Sequence, residues 1–228
     1  MIPEAPVART PGMDLTGKRI LVAGAAGALG GDLSSALADA GADVVTAGRH
    51  DCDVSLDLAD PASPAAAVAA AGRLDAIVLA TGNVAFGAAE ETPDEIVRAL
   101  FDVNVVGPVA LIRAALAAPE PPQAIVALSA IVADLPTAHM AAYSAAKAAL
   151  SAYLTALRHE RRMARTTVLD VRPPHLDTGF ETRALAGRPP RLPEPVPATE
   201  LVPRVVDALR EGRRVLRWDA GNRQFVTA

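Results

Sequence analysis

Lys18-Arg-Ile-Leu-Val-Ala-Gly24-Ala-Ala-Gly27-Ala-Leu-Gly30 is the stretch that decides the fold. Its first half is short and apolar and reads as a buried strand over Lys18–Ala23. Its second half runs through three glycines into Leu29, Leu33, Ala36, Leu37 and Ala40, which recur at helical spacing until Gly41 stops the helix. A strand that turns through glycines into a helix has a specific physical use. The helix N-terminus carries unpaired backbone N–H groups and a partial positive charge, and the absence of side chains lets a phosphate reach them. Gly24, Gly27, Ala28, Leu29 and Gly30 are therefore candidates for holding a nucleotide phosphate. An ordinary tight strand–helix turn is the other reading of the same glycines.

The alternation continues along the chain. Strands are predicted at Asp43–Ala47, Val54–Leu58, Asp75–Ala80, Ala124–Ser129 and Thr166–Val171, with a last one near Arg214–Arg217. Helices are predicted over Pro64–Gly72, from Thr92 to about Ala118, over Met140–Met163 and over 199–211. Thr92 suits the N-cap of the first long helix, with Pro93 in its first turn. This pattern specifies an α/β fold: a doubly wound parallel sheet, three layers deep, with helices on both faces. Only eight residues, Arg49 to Leu56, separate the second strand from Asp57, too few for a helical crossover, so a tight loop is expected there. Eight of the 19 prolines fall between Pro173 and Pro203, which makes 174–200 a long loop or lid rather than a helix. Residues 1–12, with Pro3, Pro6 and Pro11, read as a flexible leader, and 13–228 as a single domain; Met1 and Met13 both suit a translation start.

Composition narrows the function. The 228 residues are 51% apolar and 21% charged, which supports a real core rather than disorder. A net charge of −4 and 3% aromatics offer neither the basic footprint nor the stacking platforms of a nucleic-acid binder. One cysteine, Cys52, excludes an internal disulfide, and four histidines without paired spacing give no metal site. No uninterrupted apolar run reaches the roughly 18 residues that span a bilayer, and residues 1–12 lack an apolar signal core. A cytoplasmic protein without a membrane partner is the expectation.

Two further places carry chemistry. Tyr143-Ser-Ala-Ala-Lys147 puts a phenol and an ammonium on one helix face, a turn apart. Reducing a carbonyl needs an acid for the developing alkoxide, and a neighbouring ammonium draws a phenol's pKa down from about 10. The second strand ends Thr46-Ala-Gly-Arg49, with an arginine where an acid would bind ribose hydroxyls. Arg49 suits a 2′-phosphate, which favours NADP over NAD, although Asp51 and Asp53 lie close by. His139, His175 and Phe86 are weaker candidates for the substrate pocket, and Arg158-His-Glu-Arg-Arg162 with Arg165 reads as a cationic helix end that complements the dipole.

Together these motifs resemble the short-chain dehydrogenase/reductase family over about residues 14–180. The resemblance implies a Rossmann-type fold, a nicotinamide cofactor and residue roles. Asp57-Leu58 matches the acid–apolar pair that contacts adenine, and Ala80-Thr81-Gly82 falls where the family has Asn-Ala-Gly, which places Ala80 and Gly82 against the cofactor. Asn104 of Asn104-Val-Val-Gly107 matches an asparagine that holds a relay water. Tyr143 would be the general acid/base, with Lys147 binding the nicotinamide ribose, and Thr178 would meet the carboxamide. Other positions depart from the pattern too: Ala28 stands where the commoner glycine motif has its second glycine, with Gly27 one place earlier. Pro174 replaces a glycine, and Ala130, thirteen residues before Tyr143, replaces the catalytic serine. Ser129 can substitute only if the strand ends or bulges there; a slow enzyme and a different acceptor geometry are the alternatives.

The expected activity is an NADP(H)-dependent oxidoreductase interconverting an alcohol and a ketone or aldehyde. The alternative is a non-catalytic NADP-binding sensor or assembly protein on the same fold; isomerisation or dehydration on this scaffold is a third reading. The resemblance also implies a homodimer or homotetramer formed through the two long helices.

Overall fold

The computed structural model describes residues 12–160 and 166–227. The expected leader, apart from Gly12, and the end of the predicted helix beyond residue 160 lie outside these, as do Arg161, Arg162 and Arg165. The strands are β1 (Arg19–Ala23), β2 (Asp43–Gly48), β3 (Val54–Ser55), β4 (Ala76–Leu79), β5 (Ala124–Leu128), β6 (Thr167–Arg172), β7 (Val215–Asp219) and β8 (Gln224–Thr227). The α-helices are α1 (Ala28–Asp39), α2 (Ser63–Ala71), α3 (Asp94–Phe101), α4 (Gly107–Leu116), α5 (Ala141–Arg158) and α6 (Ala198–Arg210).

All strands form one sheet in the order β3-β2-β1-β4-β5-β6-β7-β8, and only the last pair is antiparallel. Its two faces are read directly from alternation along each strand. Ile20 and Val22 of β1 join Leu33 and Leu37 of α1 and Leu201, Val205 and Leu209 of α6 in one core. Leu21 and Ala23 join Ala67 and Ala71 of α2, Leu111 and Ile112 of α4 and Leu150, Leu154 and Leu157 of α5 in the other. The three-layer, doubly wound expectation holds. The short link between β2 and β3 is indeed a tight loop, closed by Asp53, whose carboxylate accepts from the Thr46 amide at 2.9 Å and hydroxyl at 2.7 Å.

Three expectations need correction. The first long helix is interrupted: a wide π-turn, Asp102–Val106, separates α3 from α4. Residues 94–116 together are long and apolar enough to cross a membrane by length and composition, yet Leu100, Leu111 and Ile112 are buried in the fold. The N-cap position belongs to Pro93, because Thr92 donates its hydroxyl to the Ala88 carbonyl and closes the preceding turn instead. The chain also adds an edge strand, β8, that the sequence reading did not contain.

Candidate active site

Strand order reverses between β1 and β4, and a cleft of about 1070 Å³ opens at the C-terminal strand ends there. Its floor is the glycine turn. Gly24 has φ +86°, and a Cβ on it would stand 2.7 Å from the Ala80 carbonyl oxygen. A Cβ on Gly30 would stand 2.0 Å from the Gly24 carbonyl oxygen, so the turn and the first turn of α1 pack backbone to backbone. No side chain caps α1 at Gly27, leaving its first amides available to an anion. Thr81 Oγ1, on the cleft wall, is buried without a hydrogen-bond partner among the described residues. Such a cradle with an orphaned polar atom fits a dinucleotide. Ala28, Leu29, Asp57, Leu58, Ala80, Gly82, Lys147 and Thr178 all line the same cleft. Arg49 reaches it from the end of β2, exposed and without an ion pair among the described residues.

Three residues far apart in sequence meet at Gly82. A Cβ built there would lie 2.9 Å from Asn104 Oδ1 and 3.2 Å from Lys147 Nζ, with the Phe180 ring at 3.7 Å. Asn104, on the π-turn, is fully buried. Its Nδ2 donates to the carbonyls of Asn83 and Leu100, both at 2.9 Å, and its Oδ1 accepts from the Asn83 amide at 3.2 Å. It therefore pins the loop after β4, which carries Gly82. Lys147 Nζ donates to the Leu128 carbonyl at 3.0 Å and lies 5.9 Å from the centre of the Tyr143 ring. The Phe180 ring flanks Tyr143, with ring centroids 6.5 Å apart. Around Tyr143 the wall is apolar: Val84, Phe86, Ala130, Val132 and Met140 pack with it, and Phe180 and Leu192 close on them from the lid.

Burial dominates the electrostatics. Desolvation pushes the Tyr143 phenol above its usual range. It brings the Lys147 ammonium down to about 8, opposed by the negative charge of Asp170. The expected lowering of the phenol by its ammonium neighbour is therefore outweighed by burial. At neutral pH the phenol is a protonated donor.

Ser129 also departs from expectation. Its hydroxyl donates to Asp170 Oδ1 at 2.5 Å, in the sheet interior, so its one proton is not offered to a substrate. The residue that packs with Tyr143 is Ala130, with a methyl group. The 174–200 segment does form a wall over the cleft. It is pinned at its base by a bridge between Leu176 and Val196 and stitched to the loop after β4 by Phe86 N to Ala186 O at 2.9 Å and Leu185 N to Val84 O at 2.8 Å. His175 lies in the cleft wall, its Nδ1–H donating to the Pro193 carbonyl at 3.0 Å; His139 does not reach the cleft. Arg158 is structural: its Nε donates to the Val168 carbonyl at 2.9 Å and its Nη2 to the Arg214 carbonyl at 2.7 Å.

The sequence reading missed Asp170, Arg172 and Ser151. The available signal was an acid inside an apolar strand, Val168-Leu-Asp-Val171.

The chain is similar to known proteins in sequence and fold. Residues 18–188 match the short chain dehydrogenase family profile. The chain is 32% identical over 196 residues to an uncharacterized oxidoreductase of Methylorubrum extorquens, covering 76% of this chain and 79% of that one. It is 28% identical over 195 residues to dehydrogenase/reductase SDR family member 7B of Rattus norvegicus, covering 73% of this chain and 60% of that longer relative. A short chain dehydrogenase from Burkholderia cenocepacia, solved in complex with NADP, is similar in structure with a TM-score of 0.80 at 27% identity, covering 92% of this chain and 91% of that one. The chain belongs to the short-chain dehydrogenase family and is an NAD(P)-dependent oxidoreductase.

Proposed function

We propose that this protein interconverts an apolar ketone or aldehyde and its alcohol using NADP(H), with Tyr143 as general acid/base. One observation carries the reading: Tyr143 and Lys147 of α5 line the cleft floored by the glycine turn, and Asn104 of the π-turn meets Lys147 at Gly82 on the cleft wall. The nicotinamide supplies a hydride when bound. The protein supplies the proton and the positioning. Tyr143, kept protonated by burial, donates to the oxygen that becomes the alcohol, and takes the proton back in the reverse direction. Lys147 has three N–H donors and uses one on Leu128, leaving two for ribose hydroxyls. Thr178 faces the same cleft and suits the carboxamide. Arg49 supports NADP over NAD, because it has no ion-pair partner among the described residues and Asp53 is engaged with Thr46. The apolar wall around Tyr143 supports a substrate whose only obligatory polar group is its carbonyl.

Ala130 and the engaged Ser129 favour a second reading, a dinucleotide-binding sensor. A panel of apolar ketones and aldehydes, assayed by NADPH oxidation, separates the two. Tyr143→Phe is expected to lower turnover by about 10²–10⁴-fold with NADPH binding unchanged. Full activity in that variant would overturn the mechanism. Tight NADPH binding with no turnover of any carbonyl would assign the sensor.

A further inference from the structure

Asp170 lies in the middle of β6, fully buried. A carboxylate in such a place is costly unless it is paired and hydrogen-bonded. Three donors satisfy it: Ser129 Oγ at 2.5 Å, Ser151 Oγ at 2.7 Å and Arg172 Nε at 2.8 Å. The arginine is not its alone, because Arg172 Nη1 also donates to Asp134 Oδ1 at 2.6 Å. One guanidinium shared between two carboxylates leaves one negative charge over, and Lys147 is the buried cation whose charge Asp170 favours.

The same carboxylate holds both supports of Lys147. Ser151 stands one turn beyond Lys147 on the same buried face of α5. Ser129 follows Leu128, whose carbonyl accepts from Lys147 Nζ at 3.0 Å. We propose that Asp170 is a positioning residue. It clamps the end of β5 to the face of α5, fixing the two mounts of Lys147, and supplies the counter-charge that keeps the ammonium inside the fold. This gives Ser129 its role: its hydroxyl serves the clamp from behind the site rather than the substrate in front of it.

The direction of the Lys147 shift agrees, since Asp170 opposes the lowering that burial imposes. Tyr143, on its own helix, is the titratable group beside Lys147, its ring centre 5.9 Å from Nζ; Arg172 on β6 and Asp134 after β5 act on Lys147 through Asp170, and Asp102 lines the same cleft. The proposal rests on the oxidoreductase reading only for its catalytic consequence.

The chain contains two lysines, Lys18 and Lys147, which makes a direct test possible. With lysine labelled at ¹³Cε, an NMR titration shows one signal for each, and Lys18, part-exposed and 3.6 Å from Asp75, is the internal reference. Asp170→Asn is expected to lower the Lys147 midpoint by about one pH unit or more and to leave Lys18 unmoved. A folded Asp170→Asn protein with an unmoved Lys147 midpoint would overturn the proposal. If that variant does not fold, Asp134→Asn decides, because Asp134 is 37% exposed and its removal frees Arg172 to neutralise Asp170 alone. The Lys147 midpoint must then fall; an unmoved midpoint again overturns the clamp. The signal needs neither substrate nor cofactor, so absence of turnover leaves this proposal standing, and failure of this proposal leaves the oxidoreductase reading standing.

Discussion

Lys147 sits under two opposing demands: burial strips its hydration, while Asp170 favours its charge. Burial wins, bringing its pKa from 10.5 to about 8, and this has a consequence for stability. Between these two values the unfolded chain holds the proton and the folded chain releases it. The unfolded state binds more protons there, so this contribution rises with pH from about 8 and is lost again as pH falls. Chemical denaturation at pH 8 and pH 9.5 should show wild-type stability gaining relative to Lys147→Met; parallel curves would contradict it. The neighbouring serine position gives a second prediction. Ala130→Ser returns a hydroxyl to the wall that holds Tyr143 and should raise turnover by about 10-fold or more. Ser129→Ala leaves a buried carboxylate short of a donor and should cost about 1–3 kcal/mol of stability, measured by urea unfolding. Tyr143, Lys147 and Asn104 stand out in the sequence because they sit in short local motifs. Asp170 and its partners do not, because Ser129, Ser151 and Arg172 reach it from the end of β5, from α5 and from β6 itself, up to 41 residues away from it in sequence. No local spacing encodes that meeting.

At the scale of elements, the glycine turn and α1 are one unit. Gly30→Ala would drive a methyl group to 2.0 Å from the Gly24 carbonyl oxygen, so the helix must shift off the turn. NADPH affinity should fall by at least about 10-fold, with a lower melting temperature; unchanged binding by fluorescence titration would show that the turn does not hold phosphate. Strand and helix alternation was legible because strands buried on both faces are continuously apolar and the helices carry one apolar stripe. The π-turn at 102–106 was not, because the chain stays helical around it and the apolar positions continue across it. The edge strand β8 was missed because Gln224-Phe-Val-Thr227 is too short to show a period.

Across the whole molecule, seven parallel strands point their C-terminal ends at a single cleft, and the lid from 174 stitches itself to the loop after β4. Five of them deliver parts of the site: β1 the glycine turn, β2 Arg49, β4 Gly82, β5 the Leu128 carbonyl and β6 Asp170. We propose that this cleft binds NADP(H) in preference to NAD(H), with Arg49 setting the preference. Titration of the purified protein with NADPH and with NADH, followed by nicotinamide fluorescence, tests it most directly. Wild type should bind NADPH at least about 10-fold more tightly than NADH, and Arg49→Ala should erase the difference by weakening NADPH alone. Equal affinities in the wild type would contradict the preference, and binding of neither dinucleotide would contradict the site.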